Sequence, residues 1–326
     1  MGHARTTLLL IAGFAVLALG PAAWAQTEIL GYKLDGSVEF GGRAYIDRPS
    51  EKASAKFEEY RDIPEGIFLE GLDLRLSTKD DRYLFEFKAK EAGEEDQNFL
   101  LRSSRLGFYE FEFEWDQIPH IYSTTGRLLA TEASRGVFIL PSPRPVLGAH
   151  NLAPRLDEIG IRWDTARLSL SLTPTPEWDL KAEYIRIGKD GDRPIGMSFG
   201  SPGGPSMEIL EPIDQTIHDV RLSASLARET WQLQFTYTLS LFENGLNAVV
   251  SDNPTAAADG AFAATATGGT STPSRGRIAL APDNIAHTWT LAGGVNLPLR
   301  TRVNSSLSYS WRLQNQDFLP HTTNPV

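Results

Sequence analysis

The sequence predicts an all-β protein: an antiparallel, transmembrane outer-membrane β-barrel of about ten to eleven strands that the chain leaves incomplete. Three observations predict it. Segments in which apolar and polar residues alternate recur from Ile67 to Leu313, the period-two pattern of a sheet with one apolar and one wet face. Several approach or exceed the roughly 9 to 11 residues of a tilted membrane-spanning strand, whereas strands of soluble sheets average about 5 to 6. Short turns alternate with long polar connections, as tight periplasmic turns alternate with surface loops in such barrels.

The N-terminus, MGHARTTLLLIAGFAVLALGPAAWAQ, has a cation at Arg5, an apolar run from Leu8 to Leu19, a break at Gly20-Pro21 and small residues at Ala23 and Ala25. These are the three regions of a secretory signal peptide over residues 1–25, with cleavage before Gln26. The apolar run is too short for the roughly 20 residues that span a bilayer as a helix. Residues 26–326 are then the barrel portion. Cleavage removes Arg5 and no acid, lowering the 31 Lys and Arg to 30 against 41 Asp and Glu, a formal charge of −11. That balance disfavours a nucleic-acid binder, which needs clustered cations. Without cysteine the chain has no disulfide, no thiolate metal site and no C-x-x-C-H haem attachment. The mean hydropathy is mildly polar, as in a secreted soluble protein, but a barrel hides its apolar surface in every second residue.

The strands follow in order. Ile67 to Ser77 sets Leu72, Leu74 and Leu76 against Asp73 and Arg75. Arg82 to Lys90, after the turn at residues 78–81, sets Tyr83, Phe85 and Phe87 against Glu86 and Lys88. In Leu106 to Trp115, Tyr109, Phe111, Phe113 and Trp115 oppose Glu110, Glu112 and Glu114. Three carboxylates along one face cannot enter an apolar core without a heavy desolvation cost, so that face is expected to meet water. Arg167 to Thr173 and Trp178 to Ile187 form a pair, as do His218 to Ala227 and Trp231 to Phe242, and Ile285 to Asn296 and Arg302 to Leu313. Gln232, Gln234 and Thr236 lie opposite the aromatics of their strand, and Ser306, Ser308 and Arg312 opposite Leu307, Tyr309, Trp311 and Leu313. With the three glutamates, these are the residues expected to face the lumen.

Tyr83, Trp178 and Trp231 fall within two residues of a short turn, and Trp115 is expected to end its strand. Trp311 stands nine residues beyond Arg302, roughly 23 Å of height at about 3.3 Å per residue and a 40° tilt. These five aromatics are expected at the membrane interfaces, where Trp and Tyr form girdles.

Two stretches do not alternate. Residues 244–283 include the Ala-, Gly-, Thr- and Ser-rich SDNPTAAADGAFAATATGGTSTPSRG, expected as a surface loop. Residues 116–166 hold LPSPRPVLG. With short turns periplasmic, Leu106–Trp115 and Arg167–Thr173 would both run inward. The chain would have to return outward between them, as an unrecognised strand or as a lumen or periplasmic segment. Arg302 to Leu313 then runs outward into NQDFLPHTTNPV, whereas single-chain barrels have even strand counts and both ends on the periplasmic side. The strand is expected to be mid-barrel and the chain to be part of a longer product.

H-E-x-x-H and the Walker loop are absent, and no enzyme activity, catalytic residue, bound cofactor or metal ligand is expected. The histidines at 120, 150, 218, 287 and 321 are too dispersed for a shared metal site and are expected to be solvated or hydrogen-bonded.

FGGRAYIDRPSEKASAKFEEYRDIPEGIFLEGLDLRL at residues 40–76 resembles the opening of the MtrB/PioB family of outer-membrane barrels that accompany decahaem cytochromes. The resemblance rests on Gly41, Gly42, Arg43, Lys56, Phe57, Glu59, Tyr60, Arg61, Asp62 and Gly66. TPTPEWDLKAEYIR, RPIGMSFG and EPIDQTIHDVRL are similar to that family's middle strands. APDNIAHTWTLAGGVNLPLRTRVNSSLSYSWRLQNQDFLPHT is similar to its recurring strand pair. The resemblance implies an outer-membrane sheath around a periplasmic multihaem c-type cytochrome, with an extracellular cytochrome as a further partner. The haem belongs to the partner, and the barrel supports electron transfer across the outer membrane without chemistry of its own. An acidic wall at Glu110, Glu112 and Glu114 would suit a cationic cytochrome surface. The alternatives are a free-standing porin-like channel for small polar solutes and a soluble secreted β-protein.

Overall fold

The computed structural model describes residues 27–29, 31–145, 153–156, 158–199, 206–260, 263–265, 268–270 and 273–320. The expected signal peptide, His150 and His321 lie outside the described residues, as does part of the long loop before Pro273. The strands in chain order are β1 (Thr27–Ile29), β2 (Tyr32–Arg43), β3 (Gly66–Thr78), β4 (Tyr83–Lys90), β5 (Asn98–Arg105), β6 (Tyr109–Ser123), β7 (Thr131–Ser134), β8 (Val137–Ile139) and β9 (Ile159–Leu172). There follow β10 (Trp178–Ser198), β11 (Ser206–Ala227), β12 (Trp231–Asn244), β13 (Ala248–Asp252), β14 (Ala263–Thr265), β15 (Gly268–Thr270), β16 (Arg275–Ala279), β17 (Asn284–Leu297) and β18 (Thr301–Leu313). A short helix, α1 (Glu51–Phe57), lies between β2 and β3.

Twelve strands form one antiparallel sheet in the order β1-β2-β3-β4-β5-β6-β9-β10-β11-β12-β17-β18, each next to its sequence neighbour in the sheet. Among the described residues the sheet does not close, and β1–β2 and β18 form its two edges. The tight connections, such as residues 79–82, 106–108, 228–230 and 298–300, fall at one end and the long ones at the other. Backbone geometry makes the tight turns: Asp81, Gly107, Leu299 and Arg300 take left-handed φ of 50°, 72°, 64° and 60°, which lets a hairpin reverse without splaying its strands.

Two strands escape the alternation argument. β2 loses apolar character at Gly36, where a Cβ would stand 2.7 Å from the Asp73 carbonyl oxygen. β5 reads NFLLRSSR, apolar then polar rather than alternating. Its presence changes the direction count: β6 starts at the tight turn 106–108 and runs towards the long-loop end, so the return passage lies before Leu106. Residues 116–166 accordingly hold the continuation of β6 to Ser123, then β7 and β8, then the first half of β9. Trp115 stands mid-strand, because Asp116 to Ser123 stays paired with β9.

The hairpin of β10 and β11, 21 and 22 residues long, exceeds the roughly 9 to 11 residues that cross a membrane. Its outer half supports a cap. β16, β13, β8 and β7 form a second sheet, in which Phe138 and Val249 pack with Met197, Met207 and Ile209 of the hairpin. The stretch at residues 244–283 therefore contains folded strands, β13 and β16 among them. Asp252, buried in the cap, accepts hydrogen bonds from the Leu140 N–H at 3.1 Å, Arg144 at 2.9 Å and Arg275 at 3.0 Å. Burial pushes its carboxyl up, but the Leu140 N–H and the two guanidinium groups outweigh burial and hold it below the usual carboxylate range.

Candidate functional site

Directly paired residues in an antiparallel sheet share a face, so the register carries side-chain direction from strand to strand. One rung runs Leu34, Leu76, Phe85, Ser103, Phe111, Leu170, Ala182, Leu222, Tyr237, Trp289 and Tyr309. It crosses eleven strands and is apolar except at Ser103. The rung beside it on the opposite face runs Asp35, Arg75, Glu86, Arg102, Glu112, Ser169, Glu183, Arg221, Thr238, Thr288 and Ser310 through the same pairings. Every member is charged or a hydroxyl residue. One continuous sheet thus has an apolar face and a polar face.

Each residue expected in the lumen stands on the polar face. Glu110, Glu112 and Glu114 pair with Ser171, Ser169 and Arg167. Gln232, Gln234 and Thr236 pair with Gly294, Ala292 and Thr290, and Ser306, Ser308 and Arg312 with Ala292, Thr290 and Ala286. Two of the three glutamates are, however, balanced across strands. Arg102 Nε lies 2.5 Å from Glu112 and Arg167 Nε 3.8 Å from Glu114, while Lys88 meets Asp73 at 3.1 Å and Arg75 meets Glu86 at 3.9 Å. Reading along one strand shows the glutamates; only the neighbouring strands show the arginines. The polar face is a lattice of alternating charge passing into Ser, Thr and Gln on β12, β17 and β18, rather than an acidic wall.

Tyr83, Trp115, Trp178, Trp231 and Trp311 stand on the apolar face, and Tyr83, Trp178 and Trp231 line its tight-turn margin. Trp178 and Trp231 are about 40% exposed although they face away from the charged lattice, so that margin has no protein cover. The other margin is chemical. One rung beyond Trp115, the apolar face changes to Gln117, Asp164, Gly188, Thr216 and Glu243. There Gln97 Nε2 donates to Gln117 Oε1 at 2.5 Å, and Gln117 Nε2 donates to Asp164 at 2.8 Å. Trp115 thus marks the edge of the apolar band although its strand continues. From Trp231 to Leu241 the band is about 25 Å high at ~3.3 Å per residue and ~40° tilt, the height of the apolar belt of an outer-membrane barrel.

His218 and His287 lie near that outer margin, each with Nδ1 within 2.8 or 2.9 Å of a tyrosine hydroxyl, that of Tyr184 and Tyr237 respectively. His287 also stacks on Trp289 and Trp311, and His120 lies between Tyr60 and Tyr122. The pairing of histidine with aromatic neighbours across strands is invisible from the chain alone.

Residues 50–326 match the family model described as putative outer membrane beta-barrel porin, MtrB/PioB. The chain belongs to the MtrB/PioB family. A curated relative, the outer membrane protein MtrB of Shewanella baltica (strain OS185), is 24% identical over 223 residues, which are 66% of this chain and 30% of that protein. The chain therefore spans about three-tenths of the length of that MtrB. Among solved structures, OmpT, an outer membrane protein of Vibrio cholerae, is 7% identical with a TM-score of 0.32, covering 86% of this chain and 67% of that one. The toluene transporter TbuX of Ralstonia pickettii is 10% identical with a TM-score of 0.22, covering 87% and 67%; both likenesses are too slight to build on. Family membership and the two-faced sheet identify an outer-membrane, porin-like β-barrel protein in MtrB/PioB form, whose sheet is not closed among the described residues.

Proposed function

We propose that the polar face lines the bore of a barrel that sheathes a periplasmic multihaem c-type cytochrome, so that electrons cross the outer membrane along the partner's haems. The observation that supports it is the separation of polar and apolar residues by register through eleven strands. The apolar face, banded at both margins, suits lipid. The polar face, with near-balanced charge and short hydroxyl side chains, suits a hydrated surface against which another protein can lie without burying unpaired charge. In this reading the tight turns are periplasmic, and the long loops and the cap stand at the cell surface, where an extracellular cytochrome could meet them. Membership of the MtrB/PioB family supports the choice of partner.

The chain's own residues supply insulation and fit; the haem and its redox chemistry belong to the cytochrome. Gentle detergent extraction followed by affinity purification tests this. Co-elution of c-type haem absorbance is expected, and its absence from an otherwise intact barrel would favour the second reading, a free-standing channel for small polar solutes. The porin wording of the family description favours that alternative.

A further inference from the structure

The loop between β4 and β5 reads EAGEEDQ over residues 91–97. Its backbone folds tightly: Glu91 and Gly93 take φ of 49° and 97°, and the Glu94 N–H donates to the Glu91 carbonyl at 3.0 Å. The fold gathers carboxylate oxygens of Glu91, Glu94 and Asp96 within 4.8 Å of one another. Glu94 is only 7% exposed, and neither of its carboxylate oxygens has a hydrogen-bond partner; Asp96 Oδ1 is likewise buried and unpartnered. A buried carboxylate without donors is costly unless something positive reaches it. Arg43 is the cation that acts on Glu94, yet its guanidinium sits 4.4 Å over the Phe68 ring and donates to the Pro64 carbonyl.

We propose that Glu91, Glu94 and Asp96 form a binding site for a hard divalent cation of the calcium type. Three carboxylates converging from one tight loop supply the oxygen-only donor set that calcium takes, with water completing the shell. The loop is also tied to its surroundings: the Glu95 N–H donates to Asp62 at 3.1 Å, and Gln97 begins the amide chain to Gln117 and Asp164. A bound cation would therefore lock the β2–β3 and β4–β5 connections together at the long-loop end. Burial first, with Asp62, Glu91 and Asp96 adding to it against the opposing Arg43, pushes Glu94 up to about 7. Cation binding near neutral pH should then displace a proton from it.

The test is calorimetric titration of calcium chloride into the chelator-treated full chain in detergent micelles, in two buffers of different ionisation enthalpy. One saturable site is expected, with a dissociation constant of about 10⁻⁴ to 10⁻³ M, together with a buffer-dependent heat that reports proton release. Glu94→Gln should weaken binding at least about tenfold, Asp96→Asn should weaken it as well, and Glu229→Gln in a distant turn should leave it unchanged. Heat-modified gel mobility identifies folded variants, and the two cluster variants are independent of each other. Absence of saturable binding, or wild-type affinity in a folded Glu94→Gln chain, would overturn the proposal.

Discussion

Replacing Phe235 by arginine separates the two faces of the sheet most sharply. Phe235 lies on the apolar face between Ala224 and Leu291, while Thr236, one residue on, lies on the polar face between Ser223 and Thr290. From Trp231, Phe235 is about 10 Å into a band about 25 Å high, close to its midplane. Arginine on the lipid face at that depth costs about 2–4 kcal/mol, and on the lumen face it changes hydration rather than burial. Phe235→Arg should therefore lower the folded-to-unfolded ratio by about thirtyfold to a thousandfold, and Thr236→Arg by much less than tenfold, with Phe235→Leu as the apolar control. Urea titration of the chain folded into lipid vesicles, followed by tryptophan fluorescence and gel mobility, measures both. Equal costs, or a larger cost for Thr236→Arg, would refute the assignment of the two faces.

Further outcomes follow from single sites. At Gly191, φ is +133° and a Cβ would stand 2.2 Å from the Gly160 carbonyl oxygen, so Gly191→Ala should destabilise the β9–β10 pairing by about 1–3 kcal/mol. Gly196→Ala, with nothing within 4 Å, should be close to neutral, as thermal melts of the two variants would show. Asp252→Ala leaves Arg144 and Arg275 without their shared carboxylate, a loss of about 3–5 kcal/mol for a broken buried pair. Hydrogen exchange should quicken in β8, β13 and β16 while the large sheet keeps its protection. With divalent cations chelated, the raised folded pKa of Glu94 means that its burial costs nothing below about pH 4.5 and progressively more up to about pH 7. Stability should fall across that window and then level off, by at most about 3 kcal/mol. Glu94→Gln should abolish that part of the pH dependence, as urea midpoints at pH 5 and pH 8 would show.

Much of this was legible in the chain, for identifiable physical reasons. Where both faces have strong chemistry, as at Tyr109 to Trp115 or Trp231 to Phe242, period-two alternation gives the strand and its sidedness. β5 was hidden because Leu100 lies on the polar face and Ser103 on the apolar one, which erases the alternation. The outer halves of β9, β10 and β11 were cut short because polarity exchanges faces once the strands leave the apolar band. The cap was illegible because its core joins Phe138, Met197, Ile209 and Val249 across long sequence separations. Cross-strand properties stayed hidden for the same reason: neither the arginines balancing Glu112 and Glu114 nor the tyrosines beside His218 and His287 adjoin their partners in the chain. The acidic loop could have been found, since EAGEED places four carboxylates around a glycine turn, but its burial could not.

The central claim is that the polar face encloses a haem-bearing partner. Because the chain contains no cysteine, a single cysteine introduced at Gln234 and carrying a photo-crosslinker probes that face alone, and one at Phe235 probes the other. In native outer membranes the account predicts a crosslinked band that stains for covalent haem from position 234 and none from position 235. A position 234 crosslinker that reacts with water or lipid but never yields a haem-staining product, in membranes where a multihaem cytochrome is present, would contradict it.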